Sequence, residues 1–395
     1  MRMDELVKFA PRPTGAGEMF QLLRDGQPRT RSDLATVTGQ SRSTIAARVD
    51  LLLASGYIAP AGEASSTGGR PPATFAFNPA ARVVLAVDLG ATHSRLAVTD
   101  LAGRVLAEHG EPIAIGEGPD PVLERVVELG HRLLAASGRP LDDLVSVGVG
   151  LPGPVEHSTG RPINPPIMPG WDDADVPGLL GRRLHVPVLV DNDVNLMALG
   201  EHATQWSTVD DLLFVKVATG IGAGIISDGA LRRGAQGAAG DIGHVAVPGG
   251  PELPCRCGNT GCLEAVASGP AIAAALRTLD VSADASGDVV ALVRAGDLAA
   301  SRLVREAGRH IGEVLAACVS VLNPSVIVIG GHVAESGEHL IAGIREVVYR
   351  RSLPLATQHL RIVASRTGAA AGVRGASAMA AEHVLSAAAI DALIT

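Results

Sequence analysis

Apolar and polar positions follow two rhythms along this chain. Over residues 18–53 the period is helical. Glu18-Met19-Phe20-Gln21-Leu22-Leu23 predicts a short amphipathic helix ending before Gly26. A second helix starts at Thr30, whose hydroxyl can cap it with Asp33 three residues on, and carries Leu34 and Val37 on its apolar face. Gly39 supplies a turn. A third helix, from Ser41, spaces Ile45, Val49, Leu52 and Leu53 along one side and leaves Arg42, Ser43, Thr44, Ala47 and Arg48 on the other. Gly56-Tyr57-Ile58 and Thr74-Phe75-Ala76-Phe77 then predict two short strands flanking a loop that contains Gly68-Gly69-Arg70-Pro71-Pro72.

From Arg82 the pattern becomes that of buried strands. Val83 to Asp88 runs into the turn Leu89-Gly90-Ala91-Thr92 and returns along Arg95 to Val98, predicting a hairpin. A comparable unit recurs at Leu212 to Val217, turns through Ala218-Thr219-Gly220-Ile221-Gly222 and runs back along Ala223 to Ile226, which is an internal repeat. Helices such as Pro121 to Ala136 and Ser301 to Val321 alternate with strands such as Val145 to Val149, Val188 to Val190 and Val326 to Ile329. The body is therefore expected to be a duplicated, two-lobed α/β protein. Ligands favour the cleft between such lobes.

Helix, turn, helix and two flanking strands in that order predict a winged helix-turn-helix in residues 1–80. Its third helix would place Arg42, Ser43, Thr44 and Arg48 against the major groove, and Arg70 would reach phosphates or the minor groove. A small helical protein-binding domain fits the same residues, but the arrival of all the parts in order favours DNA. Charge agrees with this division: net charge is -8 over 395 residues, yet residues 1–80 alone are positive. Residues 81–196 are expected to form a smaller lobe, completed by a C-terminal helix near 376–395, and residues 197–375 a larger one. Met1 to Gly17 lacks the apolar run of a secretory signal, and the longest apolar stretch, Ala316 to Ile329, is broken by Asn323 and Pro324. A cytoplasmic protein with no membrane partner is expected.

Three of the four cysteines lie within eight residues, which is metal-ligand spacing more than a disulfide framework. His244, Cys255, Cys257 and Cys262 offer one nitrogen and three sulfurs, and Gly258 and Gly261 let the chain bend around an ion. This donor set fits a closed, structural zinc site; Cys318 reads as core packing. The two hairpin turns, Asp88-Leu89-Gly90-Ala91-Thr92 and Thr219-Gly220-Ile221-Gly222, present small residues, a hydroxyl and backbone N–H groups suited to phosphate, and Gly330-Gly331 offers a third such place. Asp191-Asn192-Asp193, between a strand and a helix, suits either helix capping or a base, Asp193, in phosphoryl transfer.

These motifs together resemble the ROK family of repressors and sugar kinases. The resemblance rests on Gly148-Val149-Gly150-Leu151-Pro152-Gly153, Asp191-Asn192-Asp193, Gly240-Asp241-Ile242-Gly243-His244 and the run from Cys255 to Glu264. It implies the actin-like hexokinase (ribonuclease H-like) fold, with a sugar between two lobes. It also implies that Asn192, Asp193, Asp241, His244 and Glu264 contact sugar hydroxyls, with His244 serving the zinc as well. Asp88, Gly90, Thr92 and the turn Thr219, Gly220, Gly222 match the family's phosphate loops. Three departures stand out: Ala91 replaces a second Gly usual in the kinases, Asp241 replaces Glu, and Ile167-Met168-Pro169 lacks an Asn that many kinases carry there.

The expected function is a sugar-responsive transcription regulator, a repressor, that binds operator DNA as a homodimer or homotetramer and takes a sugar or sugar phosphate in its cleft. The second reading is an ATP-dependent sugar kinase, or a bifunctional protein; ATP with Mg²⁺ enters only there, with Asp193 as base.

Overall fold

The computed structural model describes residues 15–64 and 71–394. The head is built from α1 (Ala16–Gln21), β1 (Arg29–Thr30), α2 (Arg31–Thr38), α3 (Arg42–Ser55), β2 (Ile58–Glu63) and β3 (Ala73–Phe77). Thr30 and Asp33 form the expected capping box on α2, and Gly39 ends that helix in the left-handed conformation. Ser41 caps α3 by accepting from the Thr44 N–H. The strands form an antiparallel sheet in the order β1-β3-β2, so β1 adds a strand to the expected pair. Arg31 knits the head together, pairing with Asp50 of α3 and stacking over the Phe75 ring of the wing. Val37 does not lie on the buried face; it is 47% exposed. The helix turns Leu34 and Thr38 inward instead, and the Thr38 hydroxyl donates to the Leu34 carbonyl, which removes the cost of burying it.

The body opens with β4 (Val83–Leu89), β5 (His93–Asp100), β6 (Val105–Pro112), α4 (Pro119–Ala136), β7 (Leu144–Leu151), β8 (Val155–Glu156), β9 (Arg161–Pro162), α5 (Val176–Leu184), β10 (Val188–Asn192) and α6 (Asp193–Gln205). Every residue of β4 is buried, because it is the central strand of the sheet β10-β7-β4-β5-β6, whereas β6 alternates exposed and covered positions at the edge.

The second half holds β11 (Leu212–Val217), β12 (Ile221–Ser227), β13 (Ala230–Arg232), α7 (Leu263–Ala267), α8 (Gly269–Arg277), α9 (Ser286–Arg294), α10 (Leu298–Leu322), β14 (Val326–Gly330), α11 (Glu338–Arg351), α12 (Pro354–Thr357) and β15 (Arg361–Ala364). Its sheet runs β15-β14-β11-β12-β13. The two sheets repeat one plan: an antiparallel hairpin on one side of the first strand and two parallel strands on the other. The repeat read from two hairpins thus extends to whole sheets.

The chain ends with α13 (Ala371–Leu385) and α14 (Ala387–Ile394). Helix α13 lies on β4 and β7 and crosses α6 so closely that backbone meets backbone. A β-carbon on Gly375 would stand 1.7 Å from the Leu196 carbonyl oxygen, and one on Gly200 2.0 Å from that of Ala371. At its far end the same element seats the head. The Gly17 N–H donates to Asp391 at 2.7 Å, Gln21 donates to the Leu385 carbonyl at 2.8 Å, and Arg24 pairs with Glu382. Met19, Phe20, Leu23, Ile45 and Tyr57 of the head share one apolar cluster with Val84, Leu101, Ala380, Leu385 and Ile390. Among the described residues no single helix is long and apolar enough to cross a membrane.

Candidate functional site

A cleft of about 1200 Å³, counting its open mouth, lies between the two sheets' loops. Its walls follow from the repeat: the β4–β5 turn brings Ala91, Thr92 and His93, and the β11–β12 turn brings Ala218, Thr219 and Gly220. Its floor is the N-terminus of α6. Asn192 caps this helix, accepting from the Val194 N–H at 2.9 Å, while its amide donates to the Gly153 carbonyl at 2.7 Å. Capping and cleft lining therefore coincide in one side chain. Asp191 is buried behind it, held by Arg233 at 2.6 Å and Asn195 at 2.8 Å, and so serves to fix the junction. Asp193 faces the cleft, 8% exposed, and pairs with Lys216.

Asp241, His244 and Glu264 come from the second half. The Gly240–His244 turn packs on β12 and delivers Asp241 and His244 to the cleft. Glu264, in the first turn of α7, accepts from the Ile221 N–H at 3.2 Å, and its carboxylate closes on the β11–β12 turn because Gly220 has no β-carbon there. All five expected sugar-contacting residues thus line one cavity, with Thr92, Thr219, Gly220 and Gly222. Asp88 and Gly90 stand behind the first turn and do not line it. Gly330 and Gly331 are not among the residues lining this cavity; a β-carbon on the first would strike the Phe214 ring and on the second the Val217 backbone. Close packing requires a small residue at both positions. Lys216, His93 and Arg256, cleft residues all, escaped the sequence reading. The signal for Lys216 was one charge in an otherwise apolar strand, Leu212 to Val217.

Burial pushes the Asp88 carboxyl up to about 7, and the nearby Asp193 carboxylate adds to this against the opposing pull of Lys216 and Arg95. Burial opposes the charge on Lys216 too, yet Asp193 beside it, with Asp88 and Glu264, holds its ammonium above the usual lysine value. Burial lowers His93.

Next to the cleft, the donor atoms of His244, Cys255, Cys257 and Cys262 all lie within 4.8 Å of one another. His244 Nδ1 is 3.6 Å from Cys255 Sγ, and Cys257 Sγ is 3.7 Å from Cys262 Sγ. A tetrahedral ion with metal–sulfur bonds of about 2.3 Å separates its sulfurs by roughly 3.8 Å, so the donor set fits a zinc ion. Burial and the neighbouring thiols push the Cys262 thiol up to about 12.

On the head, Arg42 and Ser43 of α3 are exposed and Thr44 and Arg48 half-buried; the Ser43 and Thr44 hydroxyls bond to that of Ser41, and Arg48 bonds to Gln40. Arg70 lies outside the described residues.

The ROK family profile matches residues 84–383. The chain belongs to the ROK family. This ROK chain is 27% identical to the xylose repressor of Caldicellulosiruptor bescii over 93% of its own length and 95% of that protein. It is 31% identical to the glucokinase of Halalkalibacterium halodurans, over 74% of its length and 93% of that enzyme. Among solved structures, a ROK family transcriptional regulator described as a homolog of the Escherichia coli MLC protein matches with a TM-score of 0.81 and 26% identity, covering 96% of this chain and 98% of that one. The actin-like fold expected of the ROK body is thus the one found.

Proposed function

We propose that this ROK chain is a sugar-responsive DNA-binding regulator, acting as a repressor. The observation that carries this is the head. The repressor and regulator relatives match over nearly the whole chain, whereas the glucokinase matches over 74% of it, and the described head presents Arg42 and Ser43 on an exposed helix. Arg42, Ser43, Thr44 and Arg48 would meet the major groove, with Arg70 beside it. Paired heads read paired half-sites, so the working form is a homodimer or a dimer of dimers.

In the cleft, Asn192, Asp193, Asp241, His244 and Glu264 would bond the hydroxyls of a sugar. Zinc would be held by His244 Nδ1, Cys255, Cys257 and Cys262, supplying a rigid tie that fixes the loop; the remaining ring nitrogen of His244 stays available to a hydroxyl. Sugar that binds better to one arrangement of the lobes shifts the population toward it, and the head, seated on α13 and α14, moves with the body.

The test uses the whole protein and DNA selected from a random library. Sequence-selective retention, lost on adding one sugar from a panel of D-xylose, D-glucose and N-acetylglucosamine with their phosphate esters, supports the reading. Binding no stronger than to random DNA, at every salt concentration tried, overturns it. A sugar kinase is the second reading, favoured by Asp193 in the cleft and by the glucokinase relative; consumption of ATP with the same panel tests it.

A further inference from the structure

Lys216 stands inside the cleft with no part in the roles above. Lys216 is on β11, in register with Gly222 of β12 on one side and Gly330 of β14 on the other. Its side chain is 19% exposed, and its Nζ bonds the Asp193 carboxylate at the first residue of α6. Both residues line the cleft, between the turn holding Ala91 and Thr92 and the turn holding Ala218 and Thr219. The charges of Asp88 and Glu264 act on the same ammonium.

Phosphoryl transfer in this cleft would demand three things of that space. The triphosphate and its divalent ion must lie between the two turns, and Asp193 must be free to take a hydroxyl proton. The Lys216 ammonium already puts a positive charge in that space. A divalent ion added beside it meets like-charge repulsion in a poorly hydrated site. Asp193, whose carboxylate is already bonded to that ammonium, is not free to accept the hydroxyl proton. An uncharged polyol meets neither obstacle, for the pair is neutral overall and leaves lone pairs and N–H groups to bond hydroxyls.

We propose that Lys216 is the resident counter-cation of this cleft, standing where a metal–nucleotide would stand and making the cleft a receptor for an uncharged sugar that binds without ATP. This deepens the regulator reading and rests on it. The ligand class follows: a neutral monosaccharide in preference to its phosphate ester.

The probe is Mg²⁺–AMPPNP, titrated into the full-length protein and followed by calorimetry and thermal shift. Wild type and Lys216→Arg are expected to show no saturable binding, while Lys216→Met, isosteric and uncharged, leaves Asp193 to recruit the divalent ion and gains roughly tenfold or more in nucleotide affinity. Saturable binding by the wild type, or equal exclusion in Lys216→Met, overturns the proposal. Should Lys216→Met not fold, the wild type decides alone. The panel sugar that binds it should do so within about twofold with or without Mg²⁺–AMPPNP and at least about tenfold more tightly than its phosphate ester, and the opposite preference overturns the proposal. Failure of the wild type to select DNA strikes the regulator reading instead, whatever the nucleotide does.

Discussion

Replacing Gly375 by Ala tests the crossing of α6 and α13. Helix propensity alone favours Ala by about 1 kcal/mol at an internal position, so without tertiary contact the substitution stabilises. The structure reverses the sign. The new β-carbon would lie 1.7 Å from the Leu196 carbonyl oxygen, 2.5 Å from its carbon and 2.9 Å from its α-carbon, all of them backbone atoms of α6 that cannot rotate aside. A comfortable carbon–oxygen contact needs about 3.3 Å, so the helices must part by roughly 1.5 Å. Overpacking of this kind costs about 3 kcal/mol at its upper range, leaving a net loss of about 2 kcal/mol after the propensity gain. At about 2–4 °C per kcal/mol, the melting temperature should fall by roughly 4–8 °C. Thermal and urea melts measure this. An unchanged or raised melting temperature for Gly375→Ala would refute the reasoning, because the helices would then have room that the close contact denies.

Three more outcomes are expected. Asp88 has a raised pKa in the folded protein, near 7, so the native state holds a proton that the unfolded chain releases; stability therefore drops as pH rises from about 4 to about 7, and the loss is complete above that. Asp88→Asn removes this, stabilising by up to about 4 kcal/mol near pH 8 and by nothing near pH 4, and a gain independent of pH in denaturant melts counts against the assignment. Elemental analysis should find about one zinc per chain in protein purified without chelator; Cys257→Ser should lose it and weaken sugar binding, and a metal-free wild type of full stability overturns the site. Arg42→Ala, an exposed helix residue with no ion pair among the described residues, should lower the salt slope of DNA binding by about 1, as measured by anisotropy, while an unaltered slope removes Arg42 from the interface.

How much of this was legible beforehand depended on whether the cause was local. Thr30 and Asp33 announce their cap because the box closes within four residues, and the three thiols with His244 announce their cluster because ligand chemistry constrains spacing. The two hairpins, Val83 to Val98 and Leu212 to Ile226, were readable from apolar runs broken by small residues. Val37 was misread because a three-residue step from Leu34 and a four-residue step to Thr38 are equally helical, and only packing chooses between them. The packing need for small size at Gly330 and Gly331 comes from Phe214 and Val217, more than a hundred residues away in sequence, and is not readable locally. Lys216 shows in the sequence only as one charge in an apolar strand, since its meaning lies in Asp193, to which it bonds.

The shared apolar cluster of head and C-terminus bears on how such proteins are recombined. A reading head grafted from a relative would arrive without its seat, because part of the apolar cluster it rests on is supplied by Ala380, Leu385 and Ile390, far along the polypeptide. The exchangeable unit is discontinuous: chimeras that transplant the first eighty residues together with the last sixteen should fold and report, and those that move the first segment alone should leave Phe20 and Leu23 facing a mismatched surface.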